Sequence, residues 1–416
     1  MSSAQPAIPS MRPVDLDAVE RELDNLWRET NTSVAASGGN AYSRNSVLTL
    51  VSFLPAGAQP DRIFEAIHRL STSHPSRAVV VVANERQAEA GLRAAIGTYV
   101  APESTCYGED ILLEASGDAV AHLPGAVLPL IVSGLPAFLW WLGEPPWGTA
   151  LLESLVDGVD RLIVDTSEMP RVERSLTALD DLMRRKKSRC AISDISWTAQ
   201  APWREITAQF FDPANLRPYL EQIERVVIEF AAGDEDAPTN PSQAYLFAGW
   251  LSSRLNWQSE LSQHSPTMDD SREHILHDPN GRKIVMKINA RFDVPQQSWW
   301  ERPAPAGPAS SSGHHPAPQA ATSVRNGALM SVHIESRAPT ARATFTVARE
   351  HDLVHATTRC NVPEGSPPSQ TVHLDSIGEG SPLGDQLLMF GQDVIYQAAL
   401  GAAAHFIRPS LRRGMI

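Results

Sequence analysis

Hydrophobic positions along the chain fall into two patterns, and each predicts a different kind of element. VLTLVSFL (47–54), RAVVVVAN (77–84), AFLWWL (137–142), RLIVDT (161–166) and AISDISW (191–197) are short, nearly unbroken apolar runs, with Ile111–Glu114 a further short strand. Runs of this length, bounded by Gly, Pro, Asp and Asn, read as strands covered on both faces. Between them lie segments with apolar residues at helical spacing. Leu16, Val19, Leu23, Leu26 and Trp27 share one face over residues 14–29, and Asp15 and Asp17 suit the positive end of that helix. Further helices are expected over 61–70, from Asp118 onward, over 169–187 and 199–211, and from Ser242 to about Trp257. This alternation of strand and helix predicts a mostly parallel α/β sheet with flanking helices.

The pattern changes after about residue 265. HILHD and KIVMKINARF flank Pro279-Asn280-Gly281, a hairpin signal, and RVVIEF (225–230) is a strand ahead of them. ALMSVHIESR, ARATFTVARE and LVHATTRC alternate apolar with polar residues, as antiparallel strands with one solvated face do. A final helix is expected from about Gly384 to Phe406. The segment 301–323 is rich in Pro, Ala and Ser, with almost no large apolar side chain, and reads as a disordered linker. The expected organisation is an N-terminal helical arm (1–40), an α/β domain (41–265) and a β-rich α+β domain (266–416).

Composition narrows the function. The 416 residues carry 35 Lys plus Arg against 48 Asp plus Glu, a formal charge of -13, which argues against nucleic acid or an anionic membrane as partner. From Ala119 to Gly143 no residue is charged, long enough for a membrane span. Pro124, Pro129 and Pro136 break the run, and the mean hydropathy of -0.21 favours a buried helix feeding a buried strand. Three cysteines (Cys106, Cys190, Cys360) show neither a disulfide framework nor a zinc spacing, so the chain reads as reduced and cytoplasmic. The N-terminus shows no basic and apolar leader pattern.

Signatures of chemistry are sparse. There is no GxxxxGK[ST] and no GxSxG. GEGSPLG (378–384) suits a strand-to-helix turn better than a phosphate loop, and the basic MRRKKSR (183–189) suits a helix C-terminus, with phosphate binding the alternative for each. Cys106 lies beside Glu109 and Asp110, carboxylates that raise a thiol pKa and oppose nucleophilic chemistry. The histidines of the β-rich region read as strand residues on a solvated face, so no metal is expected.

Tryptophan stands out, with ten against six tyrosines. Trp140 and Trp141 alternate along a strand and are expected in the core on opposite faces of the sheet. Trp147 follows Gly143-Glu144-Pro145-Pro146, outside the strand, and Trp203 and Arg204 open a helix after another strand. Loops at the carboxyl ends of parallel strands are where α/β proteins bind, and Trp and Arg are enriched at interfaces. Glu144, Trp147, Trp203 and Arg204 are therefore candidate partner-binding residues, with core packing the competing reading for the tryptophans.

PLIVSGLPAFLWWLGEPPW, DRLIVDTSEMP, DISWTAQAPWREITAQFFD and YLFAGWLSSRLNW together resemble the OpcA family of glucose-6-phosphate dehydrogenase assembly proteins, well over residues 45–290 and more loosely beyond. The resemblance implies a non-catalytic, cofactor-free protein that binds and allosterically activates glucose-6-phosphate dehydrogenase and promotes its active oligomer. It also implies thioredoxin control through cysteines of the C-terminal half, where this chain has only Cys360. Cys106, Cys190 and Cys360 are the redox candidates. The alternative from the residues themselves is a sugar-phosphate- or nucleotide-binding enzyme or sensor using the strand-end loops.

Overall fold

The computed structural model describes residues 11–36, 43–44, 46–71, 74–100, 106–186, 189–233, 239–259, 272–292, 294–296, 323–338, 341–363, 365–374, 382–389 and 391–412. They form two interleaved units. The first takes residues up to Asp165 together with 186–193 and 383–392; the second takes 166–185, 194–382 and 393–416. The segment 301–322, expected to be a linker, lies outside the described residues.

The sheet of the first unit is built from β1 (Arg12–Val14), β2 (Ser43–Arg44), β3 (Leu48–Leu54), β4 (Ser76–Asn84), β5 (Gly91–Val100), β6 (Cys106–Ser116), β7 (Ala137–Trp141), β8 (Arg161–Val164) and β9 (Ala191–Asp194). Its order is β1-β5-β6-β4-β3-β7-β8-β9, with β2 beside β6. β3 runs parallel to both β4 and β7, and β7 parallel to β8. All seven residues of β3 are buried, as the unbroken apolar run requires of a strand with helices on both faces. β5 pairs antiparallel with β6 and with β1, so the sheet is mostly parallel with an antiparallel margin. The N-terminal helix (Val19–Ala36) packs on β5 within this unit. Helix Pro60–Leu70 buries Ile63, Phe64, Ile67 and Leu70 and packs on β4.

The second sheet contains β10 (Ile223–Ala231), β11 (Gln258–Ser259), β12 (Arg272–His277), β13 (Lys283–Arg291), β14 (Leu329–Ala338), β15 (Ala341–Arg349), β16 (His355–Asn361) and β17 (Thr371–His373). Its order is β11-β12-β13-β10-β14-β15-β16-β17. Among the described residues, these strands pair antiparallel except for β10 with β13. β10 therefore belongs at the centre of this sheet, and the chain first passes from the first unit to the second at 165/166. Val226, Ile228 and Phe230 of β10 and Ile284, Met286 and Ile288 of β13 are buried, and helix Ser242–Arg254 packs on both strands. Helix Val394–Arg412 crosses that helix at Gly249, where a Cβ would stand 2.1 Å from the Ala399 carbonyl oxygen. The sequence places a glycine where two helix backbones meet.

AISDISW is shorter as a strand than its apolar content suggests. Asp194 turns the chain, its side chain accepting from Ser196 N–H, and Ile195–Ala199 is helical. The single helix expected over 384–406 is two, Pro382–Leu388 and Val394–Arg412, separated at Gly391, whose φ is +82°. Asp393 starts the second helix by accepting from the Ile395 and Tyr396 amides, both at 2.9 Å.

Candidate functional site

β3 sits between β4 and β7, the arrangement in which open α/β sheets bind ligands beyond the carboxyl ends of their strands. Here the strand ends carry aromatic packing. Phe53 and Trp141 are register partners and stack at 4.5 Å with 10° between planes. Trp140 is 1% exposed and Trp141 8%, both in the core.

Beyond Trp141, Leu142 N–H donates to the Phe53 carbonyl at 3.0 Å. Gly143 and Gly148, with φ of +76° and +75°, bracket the loop that carries Glu144 and Trp147. Trp147 N–H donates to the Pro145 carbonyl at 2.9 Å, and Thr149 caps helix Ala150–Asp157. Glu144 and Trp147 are half-buried, so the loop is a shaped surface element carrying part of an indole and a carboxylate.

Trp203 and Arg204 belong to the second unit and differ from each other. Trp203 is 1% exposed, inside the unit, with the Arg349 guanidinium 5.7 Å from its ring centre. The expectation of a surface indole there is corrected. Trp203 lies in helix Ala201–Gln209 beside Ile206 and Thr207 on its buried face, so the core reading holds for it. Arg204 is half-buried, with its guanidinium 3.5 Å from the Trp197 ring centre and donating to the Trp197 carbonyl at 2.7 Å. Burial lowers its pKa to about 10, and Asp393 works the other way. Trp197 Nε1 in turn donates to Asp393 Oδ2 at 2.9 Å. The Arg204 guanidinium thus stands over an indole whose N–H is held by a carboxylate, a cation–π contact fixed at both ends.

One heavily bonded buried group of the second unit has little signature in the sequence. Asp194, 1% exposed, accepts from Thr166 N–H (3.1 Å), Thr166 Oγ1 (2.8 Å), Ser196 N–H (2.9 Å) and the Tyr396 hydroxyl (3.3 Å). Tyr396 is buried and its pKa is raised well above the ordinary value by that burial and by Asp194. Asn240 performs a similar task, donating to the carbonyls of Thr166, Ser167 and Met169 and accepting from Ser242 N–H. The local cap pattern D-x-S is the available signal for Asp194; nothing in the sequence marks its distant partner Tyr396. In the first unit, buried Arg77 donates to Glu109 at 2.7 Å and also bonds Glu20, while His68 bonds Asp110 at 2.8 Å and stacks on Tyr99 at 3.8 Å. These charges are engaged by the fold itself.

Of the redox candidates, Cys190 is 3% exposed and burial pushes its thiol up to about 12, which removes it from thiolate exchange near neutral pH. Cys360 is half-buried and its pKa is also raised by burial. The side chain of Cys106 lies outside the described residues. Within MRRKKSR, Arg184 bonds Asp180 and Lys186 bonds Asp157 and Glu153, so these cations face carboxylates; Lys187 and Ser188 lie outside the described residues. Most of GEGSPLG, and Trp299 and Trp300, lie outside them too. His274 packs between Tyr245 and Phe406. His355 bonds Asp352 at 2.6 Å, but among the described residues no group of three His, Cys, Asp or Glu is placed to hold a metal. Nor, among them, is any helix long and apolar enough to cross a membrane.

Fold and site together define a two-sheet α/β protein whose buried polar groups lock its own backbone and whose rigid surface elements carry aromatic and charged groups. The family model described as the N-terminal domain of the glucose-6-phosphate dehydrogenase subunit matches residues 67–181, and the model described as its C-terminal domain matches 190–400. The chain belongs to this family, the OpcA family. A Synechocystis sp. protein provisionally named OxPP cycle protein OpcA is 28% identical over 224 residues, 53% of this chain and 45% of that protein. A Nostoc punctiforme protein of the same name is 33% identical over 169 residues, 40% of this chain and 34% of that one. The chain thus matches less than half the length of these curated relatives. A 3-ketoreductase from Actinomadura kijaniata, solved with NADP, gives a TM-score of 0.44 at 9% identity over 89% of this chain and 98% of that one, a likeness that carries no functional argument.

Proposed function

We propose that this protein is a non-catalytic partner of glucose-6-phosphate dehydrogenase that binds the enzyme, activates it allosterically and promotes its active oligomer. The observation that carries the reading is the family match, which spans both units and in both halves bears the description of a dehydrogenase subunit. The half-buried loop of Glu144 and Trp147 and the exposed part of Arg204 supply the contacts, each from its own unit. Trp203 acts from inside, by fixing the helix that carries Arg204. Such elements suit binding, because a pre-ordered indole or guanidinium loses little conformational entropy on association. Thioredoxin control, in this reading, falls to Cys360 or Cys106, since burial holds the Cys190 thiol protonated.

The test is dehydrogenase activity titrated with wild-type protein and with Trp147→Ala. Truncation of a binding indole is expected to cost at least about 2 kcal/mol, roughly thirtyfold in the concentration giving half-maximal activation, with the unfolding midpoint unchanged. Activation by Trp147→Ala at wild-type concentrations would remove this loop from the contact. Absence of activation by the wild-type protein would remove the reading itself.

A further inference from the structure

The first unit has an opening at the strand ends opposite those that carry the Glu144 loop. β7 and β8 are parallel, and the Ala191 amide donates to the Asp160 carbonyl at 2.8 Å, which aligns the starts of β8 and β9. At these amino ends lies a hollow of about 700 Å3, lined by residues of this unit alone. One wall is formed by Met389, Gly391 and Gln392 of the returning chain. Arg161, 2% exposed, holds it by donating to the carbonyls of Met389 at 2.8 Å and Gly391 at 2.6 Å, and it also bonds Ser193 Oγ.

Three features give the hollow a chemistry. Two guanidinium groups, Arg161 and Arg189, line it against one carboxylate, Asp160, whose Oδ2 accepts the Ala137 amide at 2.8 Å. That is a local positive excess on a chain of formal charge -13. The Gln392 amide is oriented by its Oε1, which accepts from Ile192 N–H at 3.3 Å; its Nε2 is buried and has no acceptor among the described residues. Buried donors are nearly always satisfied, and an orphan in a cation-lined hollow calls for an oxygen from elsewhere. Leu135, Phe138 and Met389 make the remaining surface apolar.

We infer that this hollow binds an organic phosphate monoester, its phosphate oxygens meeting Arg189 and Gln392 Nε2 in the field of Arg161 and its carbon skeleton lying on Leu135 and Met389. Guanidinium groups match phosphate geometry, and a ligand bridging Gln392 and Arg189 ties the returning segment to the start of β9. The inference is independent of the dehydrogenase reading, since it concerns the isolated chain.

Isothermal titration of the full chain in phosphate-free buffer tests it, with glucose 6-phosphate and inorganic phosphate as separate probes. Saturable binding of glucose 6-phosphate is expected, with inorganic phosphate at least about tenfold weaker for want of the carbon skeleton. Arg189→Ala, at an exposed position, is expected to weaken glucose 6-phosphate by at least about tenfold while melting like wild type; Gln392→Leu, which also strands the Ile192 amide and so melts lower, is expected to weaken it by at least about tenfold at a temperature where it is still folded. No saturable binding of either probe up to about 10 mM overturns the inference. So does binding that both substitutions leave unchanged. Equal affinity for the two probes overturns the role of the apolar wall.

Discussion

Cys190 shows how burial sets chemistry at a single residue. Its Sγ donates to the Ala191 carbonyl at 3.4 Å, and removal from water holds its pKa at about 12 against an ordinary 9.0. A thiol with a raised folded pKa contributes stability that is complete below about pH 9 and is lost as pH rises toward about 12, because the unfolded chain ionises first. The unfolding free energy of wild-type protein is therefore expected to fall across that window, and Cys190→Ala to fall less steeply. Iodoacetamide at pH 8 should leave Cys190 unlabelled until denaturant is added; rapid labelling of the folded protein would contradict its placement. Asp194 is a buried carboxyl group satisfied by four donors. Asp194→Ala strands the buried Thr166 and Ser196 amides, and a loss of at least about 2 kcal/mol in urea unfolding is expected.

At the scale of elements, what could be read from the sequence depended on how local each signal was. β3 and β4 are built on nearly unbroken apolar runs and stand where the pattern puts them. β5 is not legible because GLRAAIGTYV is diluted with Gly, Ala and Arg, residues that a sheet margin accepts and a β-propensity reading rejects. AISDISW is largely apolar and reads as a strand as far as Trp197, yet the cap at Asp194 overrides that pattern. The crossing of helices Ser242–Arg254 and Val394–Arg412 leaves no sequence signal except Gly249 itself. Gly249→Ala must push a methyl against the Ala399 carbonyl, and a destabilisation of about 1–3 kcal/mol is expected in denaturant unfolding. An unchanged midpoint would mean that the two helices do not approach as described.

At the scale of the whole molecule, the chain passes repeatedly between its two units, at 165/166, 185/186, 193/194, 382/383 and 392/393. No composition shift marks those points, because the pairing of β10 with β13 and β14 is a long-range choice. Of the candidate site, the Glu144–Trp147 loop was legible because Gly143, Pro145 and Pro146 announce a rigid turn after a strand. Burial of Trp203 was not, since a tryptophan near a helix start has the same local pattern inside or outside. The central claim is that this family member acts by binding glucose-6-phosphate dehydrogenase. It is tested most directly by sedimentation of the purified dehydrogenase with and without this protein, with activity assayed on the same samples. One faster-sedimenting species containing both chains is expected, with a higher specific activity in that fraction. Two independently sedimenting proteins with unchanged activity, across the concentration range of the assay, would contradict it.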